Sequence, residues 1–331
     1  MILIISHHNS EFTTELIMDW IHYYGHECKR VNGLDILDKL TFNLKLTNGD
    51  GVKVETNSGI EAADIIWFRR WMVLRSLEDH MPVNSNFFLK DIAPLIKSEF
   101  DGVTRAFFFA LKGKNWDDKP EFLREYPIKI KQLEIAQSVG LKIPNTIITN
   151  NKKDLQVFVK TNNIEEIIIK PVKDGTLIGS TEGCYVIYTA KVTKELSEIP
   201  ELFFPSLFQE AISKIIEIRV FFHKDICYSM AIFSSYDEKT SVDFRNYNFA
   251  KPNRYVPYKL PDTVESKIRD FMEILNLKSG SLDILLNTKN EYVFLEVNPV
   301  GQFSMVSFPC NYYLERVVAN SLISEQITPG N

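Results

Sequence analysis

Near the end of the chain, in FLEVNPVGQF (Phe294 to Phe303), Glu296 and Asn298 stand two residues apart in an apolar run that breaks at Pro299 and Gly301. Alternate residues of a strand face the same way, so the carboxylate and the amide project together. A preceding apolar run, SLDILL, carries Asp283, and Asn287 to Asn290 between the two runs are expected to form a hairpin turn. With an even number of residues in the loop, Asp283 shares the face of Glu296 and Asn298. Two carboxylates buried together unpaired are costly. A hard divalent cation resolves that cost, and an all-oxygen set with open positions suits Mg²⁺ bound to phosphates. Ordinary salt bridges at a sheet edge are the other reading of the same spacing.

Cationic groups elsewhere suit phosphate. Lys170 ends the apolar run EEIIIKP, and the following KDGTLIGSTEG holds Gly175, Gly179 and Gly183, whose backbone N–H groups can approach an anion closely. The loop has neither the P-loop nor the dinucleotide-binding spacing, and a plain β-hairpin explains the same glycines. Arg219 in IEIRVFF and Arg245 in DFRNYN lie in or beside strands, where a guanidinium needs a partner: phosphate oxygens or a structural carboxylate. His22 and His26 are spaced as helical metal ligands but have no third ligand in view. His7-His8 and Arg69-Arg70 each end a strand, where α/β proteins place ligands; a loop role and surface ion pairing are the competing readings.

The elements that must carry these residues begin with a buried strand, Ile2 to Ile5. A helix follows with Phe12, Leu16, Ile17, Trp20, Ile21 and Tyr24 on one stripe, closed by Gly25. Further strands at Cys28 to Val31 and Asp64 to Phe68 predict an α/β unit with a parallel sheet. A short strand at Val52–Val54 and a helix over 86–111 complete it, and polar GKNWDDK (Gly113 to Lys119) reads as a linker. Pro127 opens a helix with Ile130, Leu133, Ala136 and Val139 on its apolar face, closed by Gly140. Strands at 143–149, 166–172 and 184–188 make a middle unit. From about Leu202 strands dominate, at 208–212, 217–222, 226–233, 281–286 and 292–297, interrupted by a helix over 263–275. The expected domains are 1–115, 116–200 and 201–331.

At 331 residues, 45% hydrophobic and 24% charged, the chain has an ordinary globular balance. The net charge of -5 excludes a bulk electrostatic grip on nucleic acid or anionic lipid. No stretch approaches the length of a membrane span and MILIISHHNSEF lacks a basic n-region, so neither a membrane nor a nucleic acid is an expected partner. The four cysteines form no C-x-x-C pair, which predicts a reduced cytoplasmic protein.

In order, Lys129-x-x-Gln-Leu, Lys170, the glycine loop, FQEAI, EIR, FRNYN, LD and LEVN resemble the ATP-grasp ligases over about Lys129 to Gly301. The N-terminal strand–helix start, WFRRW at 67–71 and KQLEIAQSVGLKIPNTIITN at 131–150 look like the graspetide (microviridin-type) synthetases, with the maturases of grasp-with-spasm systems closest. The resemblance implies an α/β chain, α+β in its C-terminal part, whose central and C-terminal domains sandwich ATP behind an N-terminal α/β domain. It implies ATP and Mg²⁺ as cofactors, a ribosomal precursor peptide (leader and core) as partner, and a homodimer. Lys129 and Lys170 would contact phosphates, with Gly179, Ser180 and Gly183 closing over them. Gln209, Glu210, Ala211 and Ile212 would line adenine, with Glu217 near ribose. Arg219 and Arg245 would stabilise the transferred phosphoryl group, and Asp283, Glu296 and Asn298 would hold the metal. KDGTLIGSTEG departs from the family in lacking tight consecutive glycines, which leaves the phosphate-contacting loop residues open. The implied activity is carboxylate activation on the peptide with ester or amide ring closure. A ligase adding a free amino acid, or a non-catalytic nucleotide- or peptide-binding module, are the alternatives.

Overall fold

The computed structural model describes residues 1–7, 11–71, 88–111, 114–117, 119–120, 128–172, 177–180, 183–186, 189–192, 196–234 and 253–327. Two compact units divide the chain: Met1–Pro120 with Tyr313–Asn331, and Glu121–Tyr312.

The first unit starts with β1 (Ile2–Ser6), whose five residues are all buried, as an apolar run covered on both faces must be. Helix α1 (Phe12–Tyr23) buries Thr14, Ile17 and Ile21, and Gly25 terminates it in the left-handed region at φ 77°. Strands β2 (Cys28–Asn32), β3 (Phe42–Lys45), β4 (Lys53–Thr56) and β5 (Ile65–Phe68) follow. Helix α2 (Phe88–Ala110) precedes β6 (Asn115–Asp117). The main sheet has order β2-β1-β5-β6 and is parallel throughout, while β3 and β4 form a separate hairpin. Residues 115–117 correct the linker expectation. Trp116 is buried among Phe107, Phe108 and Leu111, so an apolar residue within a polar stretch docks a fourth strand beside β5.

The second unit contains two larger sheets, each with its own core. Helix α3 (Lys129–Ser138) begins after Ile128, and Gly140 closes it at φ 78°. Pro127 lies outside the described residues. The buried stripe of α3 is Lys129, Gln132, Leu133 and Ala136, whereas Ile130 is exposed, which corrects the expected apolar face. Leu133, Ala136 and the partly buried Val139 keep the expected face, and Lys129 and Gln132 rather than Ile130 complete it in the first turn. Then come β7 (Thr146–Asn151), helix α4 (Lys152–Thr161), β8 (Ile167–Lys170), β9 (Leu177–Ser180), β10 (Gly183–Val186), β11 (Ala190–Lys191) and β12 (Leu202–Glu210). Strands β11-β8-β12-β7 form one sheet, with Leu155, Ile164, Ile167 and Phe208 at the centre of its core. Much of the expected glycine loop is a β9–β10 hairpin, paired Cys184 to Gly179 and Gly183 to Ser180.

Strands β13 (Lys214–His223), β14 (Ile226–Phe233) and β15 (Arg254–Tyr258), helix α5 (Asp262–Ile274), β16 (Ser279–Asn287), β17 (Tyr292–Asn298) and helix α6 (Ser304–Cys310) complete the unit. The sheet is antiparallel with order β15-β14-β13-β16-β17. Ile216, Ile218, Val220, Leu282, Ile284, Phe294 and Val297 pack under Leu133 and Ala136 of α3 and Ile268, Phe271 and Met272 of α5. Phe271 and Phe294 meet with ring centroids 4.8 Å apart, and such aromatic burial contributes roughly 1.5–3 kcal/mol per side chain. The other face of the same strands is left for polar groups. The last helix, α7 (Leu314–Ile327), belongs to the first unit, where Arg316 lies over the Trp20 ring of α1. The stretch expected as one C-terminal domain, 201–331, is therefore shared between the two units.

Candidate functional site

The site is a row of charges across three neighbouring strands. Arg219 on β13 stands opposite Asp283 on β16, and Asp283 stands opposite Glu296 on β17. All three alternate with core residues, so they lie on the face away from α3 and α5. Asp283 accepts from Arg219 Nη1, and Glu296 accepts from Lys129 Nζ at the start of α3. Four of the predicted residues thus meet as two adjoining ion pairs.

The alignment arises differently from the sequence expectation. The loop is odd: Leu286 pairs with Tyr292, leaving residues 287–291 between them. That register continues to Ile284 opposite Phe294 and would set Asp283 against Leu295. A bulge inserts Leu295 as an extra residue, and Glu296 moves opposite Asp283. Asn298 then pairs with Ser281 on the same face.

Two local devices fix the end of β17, an edge strand. Gln132 of α3, which is 2% exposed, donates from Nε2 to the Val297 carbonyl (3.1 Å) and accepts from the Val297 N–H (2.8 Å). The amide supplies the missing neighbour strand at one position. Beyond Asn298, the Gly301 N–H donates to Asn298 Oδ1 at 3.2 Å. Gly301 has φ 48°, and a Cβ there would meet Ser281 Oγ at 2.7 Å and Ser281 N at 2.8 Å, so only glycine fits without a shift. Gln132 was visible in the sequence as a polar residue at helical spacing from Lys129 and Ala136, but nothing local revealed its partner.

Glu217, two residues before Arg219, shares this face. Its Oε1 accepts from Lys214 Nζ (2.5 Å) and Ser234 Oγ. Burial raises its pKa above the usual carboxylate range, with Lys214 opposing the shift and the Asp283 charge adding to it. Phe221, on the next rung, packs on Phe303 with centroids 4.6 Å apart and borders the charged row with apolar surface.

Of the other predicted residues, Lys170, Gln209 and Glu210 lie on the sheet β11-β8-β12-β7. Lys170 is the last residue of β8, paired with Leu207. Gln209 is buried and donates to Thr146 Oγ1 at 2.9 Å. The Glu210 carboxylate accepts from the Asn145 side chain at 2.8 Å and from its N–H at 3.3 Å. The Glu210 and Ala211 N–H groups donate to the Asn145 and Glu166 carbonyls, and Ile212 follows as β13 is approached. Gly179, Ser180 and Gly183 are in the β9–β10 hairpin. Arg245 lies outside the described residues, as do Gly175 and His8.

Among the described residues no cluster of three or more His, Cys, Asp or Glu side chains suits a metal. The oxygen donors at the row are two carboxylates and an amide. Their present partners are cations, and that donor chemistry fits a hard divalent ion. His22 Nε2 lies 3.5 Å from Cys28 Sγ, and burial pushes that thiol up to about 11. Burial likewise pushes Cys227 to about 12 and Cys310 to about 11, so these thiols are poor nucleophiles. No helix among the described residues is long and apolar enough to cross a membrane.

No sequence-family model matches the chain. No curated protein matches it in sequence. Solved structures do. A RiPP-associated ATP-grasp ligase of Chryseobacterium gregarium, in complex with ADP and a leader and core peptide, is 23% identical, with TM-score 0.83 over 98% of this chain and 96% of that one. The macrocyclase MdnC of Microcystis aeruginosa MRC, bound to its precursor peptide MdnA, is 23% identical, with TM-score 0.80 over 98% and 99%. The ATP-grasp ligase PsnB, complexed with minimal precursor, Mg and ADP, is 17% identical, with TM-score 0.75 over 98% and 97%. The shared fold covers both units.

Proposed function

We propose, from this ATP-grasp fold, that the chain is an ADP-forming ligase acting on a ribosomally made precursor peptide. It activates Asp or Glu side chains and closes ester or amide rings to Ser, Thr or Lys side chains. The observation that carries the proposal is the row Arg219–Asp283–Glu296 on one sheet face, extended by Lys129 from the start of α3, so that two carboxylates and two cations adjoin. The likeness to ligases solved with ADP, Mg and precursor peptides supports the same reading.

Asp283, Glu296 and Asn298 would hold Mg²⁺, which when bound neutralises phosphate charge and polarises the γ-phosphoryl group. Lys129 and Arg219, the counter-ions of those carboxylates, would meet phosphate oxygens beside them. Lys170 from the sheet β11-β8-β12-β7, and Gly179, Ser180 and Gly183 from the β9–β10 hairpin, would serve the phosphates. Gln209 to Ile212 would line the base and Glu217 the ribose, and Arg245 would join Arg219 at the transferred group. The two sheets of the second unit would be the central and C-terminal domains of the nucleotide sandwich.

A carboxylate is a poor acyl donor because its leaving group is oxide. Its oxygen attacks the γ-phosphorus, the bond to the β–γ bridging oxygen breaks, and ADP leaves. A peptide hydroxyl or amine then attacks the acyl carbon, phosphate departs with its oxygen, and the nucleophile loses its proton. The protein's share is positioning and charge neutralisation. We place the enzyme in the cytoplasm, where ATP is available and buried thiols such as Cys28 and Cys310 stay reduced.

Incubating the protein with ATP, Mg²⁺ and the short acidic peptide encoded beside it tests this. One ADP should appear and one water should be lost from the peptide per ring. AMP as product, or an unchanged peptide mass, rejects the proposal. A peptide that gains mass indicates addition of a free amino acid.

A further inference from the structure

The first unit carries a charged cluster that this chemistry does not use. In the order β2-β1-β5-β6 the chain leaves β1 for β2 on one side and later enters β5 on the other. In such sheets the crevice for a ligand opens at the carboxyl ends of the two strands flanking the reversal. Here those ends are Ser6-His7 and Arg69-Arg70. Glu11, between β1 and α1, lies there almost fully buried. Its Oε1 is 2.7 Å from Arg70 Nε and 3.5 Å from His7 Nε2, its Oε2 is 3.7 Å from Arg69 Nε, and Thr14 Oγ1 donates to it at 3.0 Å.

The two arginines are not equivalent. Arg69 is 4% exposed, lies over the Trp67 ring at 5.8 Å, and is held to about 10 by burial and by Arg70. Arg70 is 31% exposed. Its closest approach to Glu11 is at Nε, and its Nη groups make no hydrogen bond among the described residues. Ser6 Oγ, at the last position of β1, is also buried without a partner among the described residues. Arg30 is committed to Glu15, Asn32 and the His7 carbonyl. Buried Asp117 ends β6 on the far side of β5. A partly exposed guanidinium ion-paired through Nε with a buried carboxylate keeps its two Nη groups for the planar fork that a carboxylate takes bidentately.

We propose that Arg70, oriented by Glu11 at the carboxyl ends of β1 and β5, binds a side-chain carboxylate of the peptide substrate. The identification of that ligand as a peptide rests on the ligase reading. The test uses fluorescent hexaglutamate and hexaglutamine peptides, with anisotropy on the full chain. Wild type should bind hexaglutamate about tenfold or more tightly than hexaglutamine. Arg70→Gln should remove that difference while leaving thermal stabilisation by Mg·ADP unchanged. Arg70→Lys keeps the charge beside Glu11, and so the fold, but offers no fork; it should bind hexaglutamate severalfold more weakly than wild type. Equal binding of the two peptides by wild type overturns the proposal, as does hexaglutamate binding by either variant within about twofold of wild type. Failure of the ligase reading is seen separately, as absence of ADP release with every peptide.

Discussion

Glu296 and Asp283 each face a cation, and the reading of these pairs as a nucleotide site separates from a structural one at single residues. Lys129 and Glu296 are 10% and 24% exposed, enough for solvent to reach the pair. Glu296→Ala and Asn298→Ala should lower turnover by at least two orders of magnitude while the folded signal by circular dichroism persists, since a charge-stabilising ligand is lost and not core volume. Unfolding of both variants would restore the structural interpretation. Glu217 gives a pH signature. Its folded pKa is raised by burial, so its protonated form favours the fold. That contribution is fully present below the unfolded value near 4.5 and is lost as pH rises through the raised folded value. Relative to Glu217→Gln, wild-type stability in urea should therefore fall as pH rises from below 4.5 toward neutrality.

At the scale of elements, the site depends on how β17 is held at its open edge. Gln132→Ala leaves the Val297 N–H and carbonyl without their partner in a buried position, at a cost of about 1–3 kcal/mol in urea unfolding. Turnover should fall beyond what stability explains, because Glu296 is the preceding residue. The strands bearing Arg219, Asp283 and Glu296 were legible in the sequence because polar residues interrupt strong apolar runs there. The face they share was legible too, but by a different route: the sequence pointed to an even loop, whereas an odd loop and the Leu295 bulge produce the alignment. A bulge leaves no mark in residue type. Trp116 was lost within polar neighbours, since three residues suffice to add a strand once an edge awaits them. Helices α4, α6 and α7 were unread because Asn, Pro and β-branched residues weaken local propensity that tertiary packing then overrides.

At the scale of the molecule, each unit has its own core, with Leu3, Ile5, Phe107 and Trp116 in the first and Val220, Phe271 and Phe294 in the second. Separate cores allow separate unfolding. Calorimetry should resolve two transitions, with Mg·ADP at about a hundred times its dissociation constant stabilising the one from the second unit by roughly 2.7 kcal/mol. In Glu296→Ala neither transition should move.

The claim on which all of this turns is that a peptide carboxylate is phosphorylated before it is joined. A precursor whose Asp and Glu side chains carry heavy oxygen tests it most directly. One labelled oxygen should appear in the inorganic phosphate released for each ring formed. Rings that form while the phosphate stays unlabelled would contradict the account.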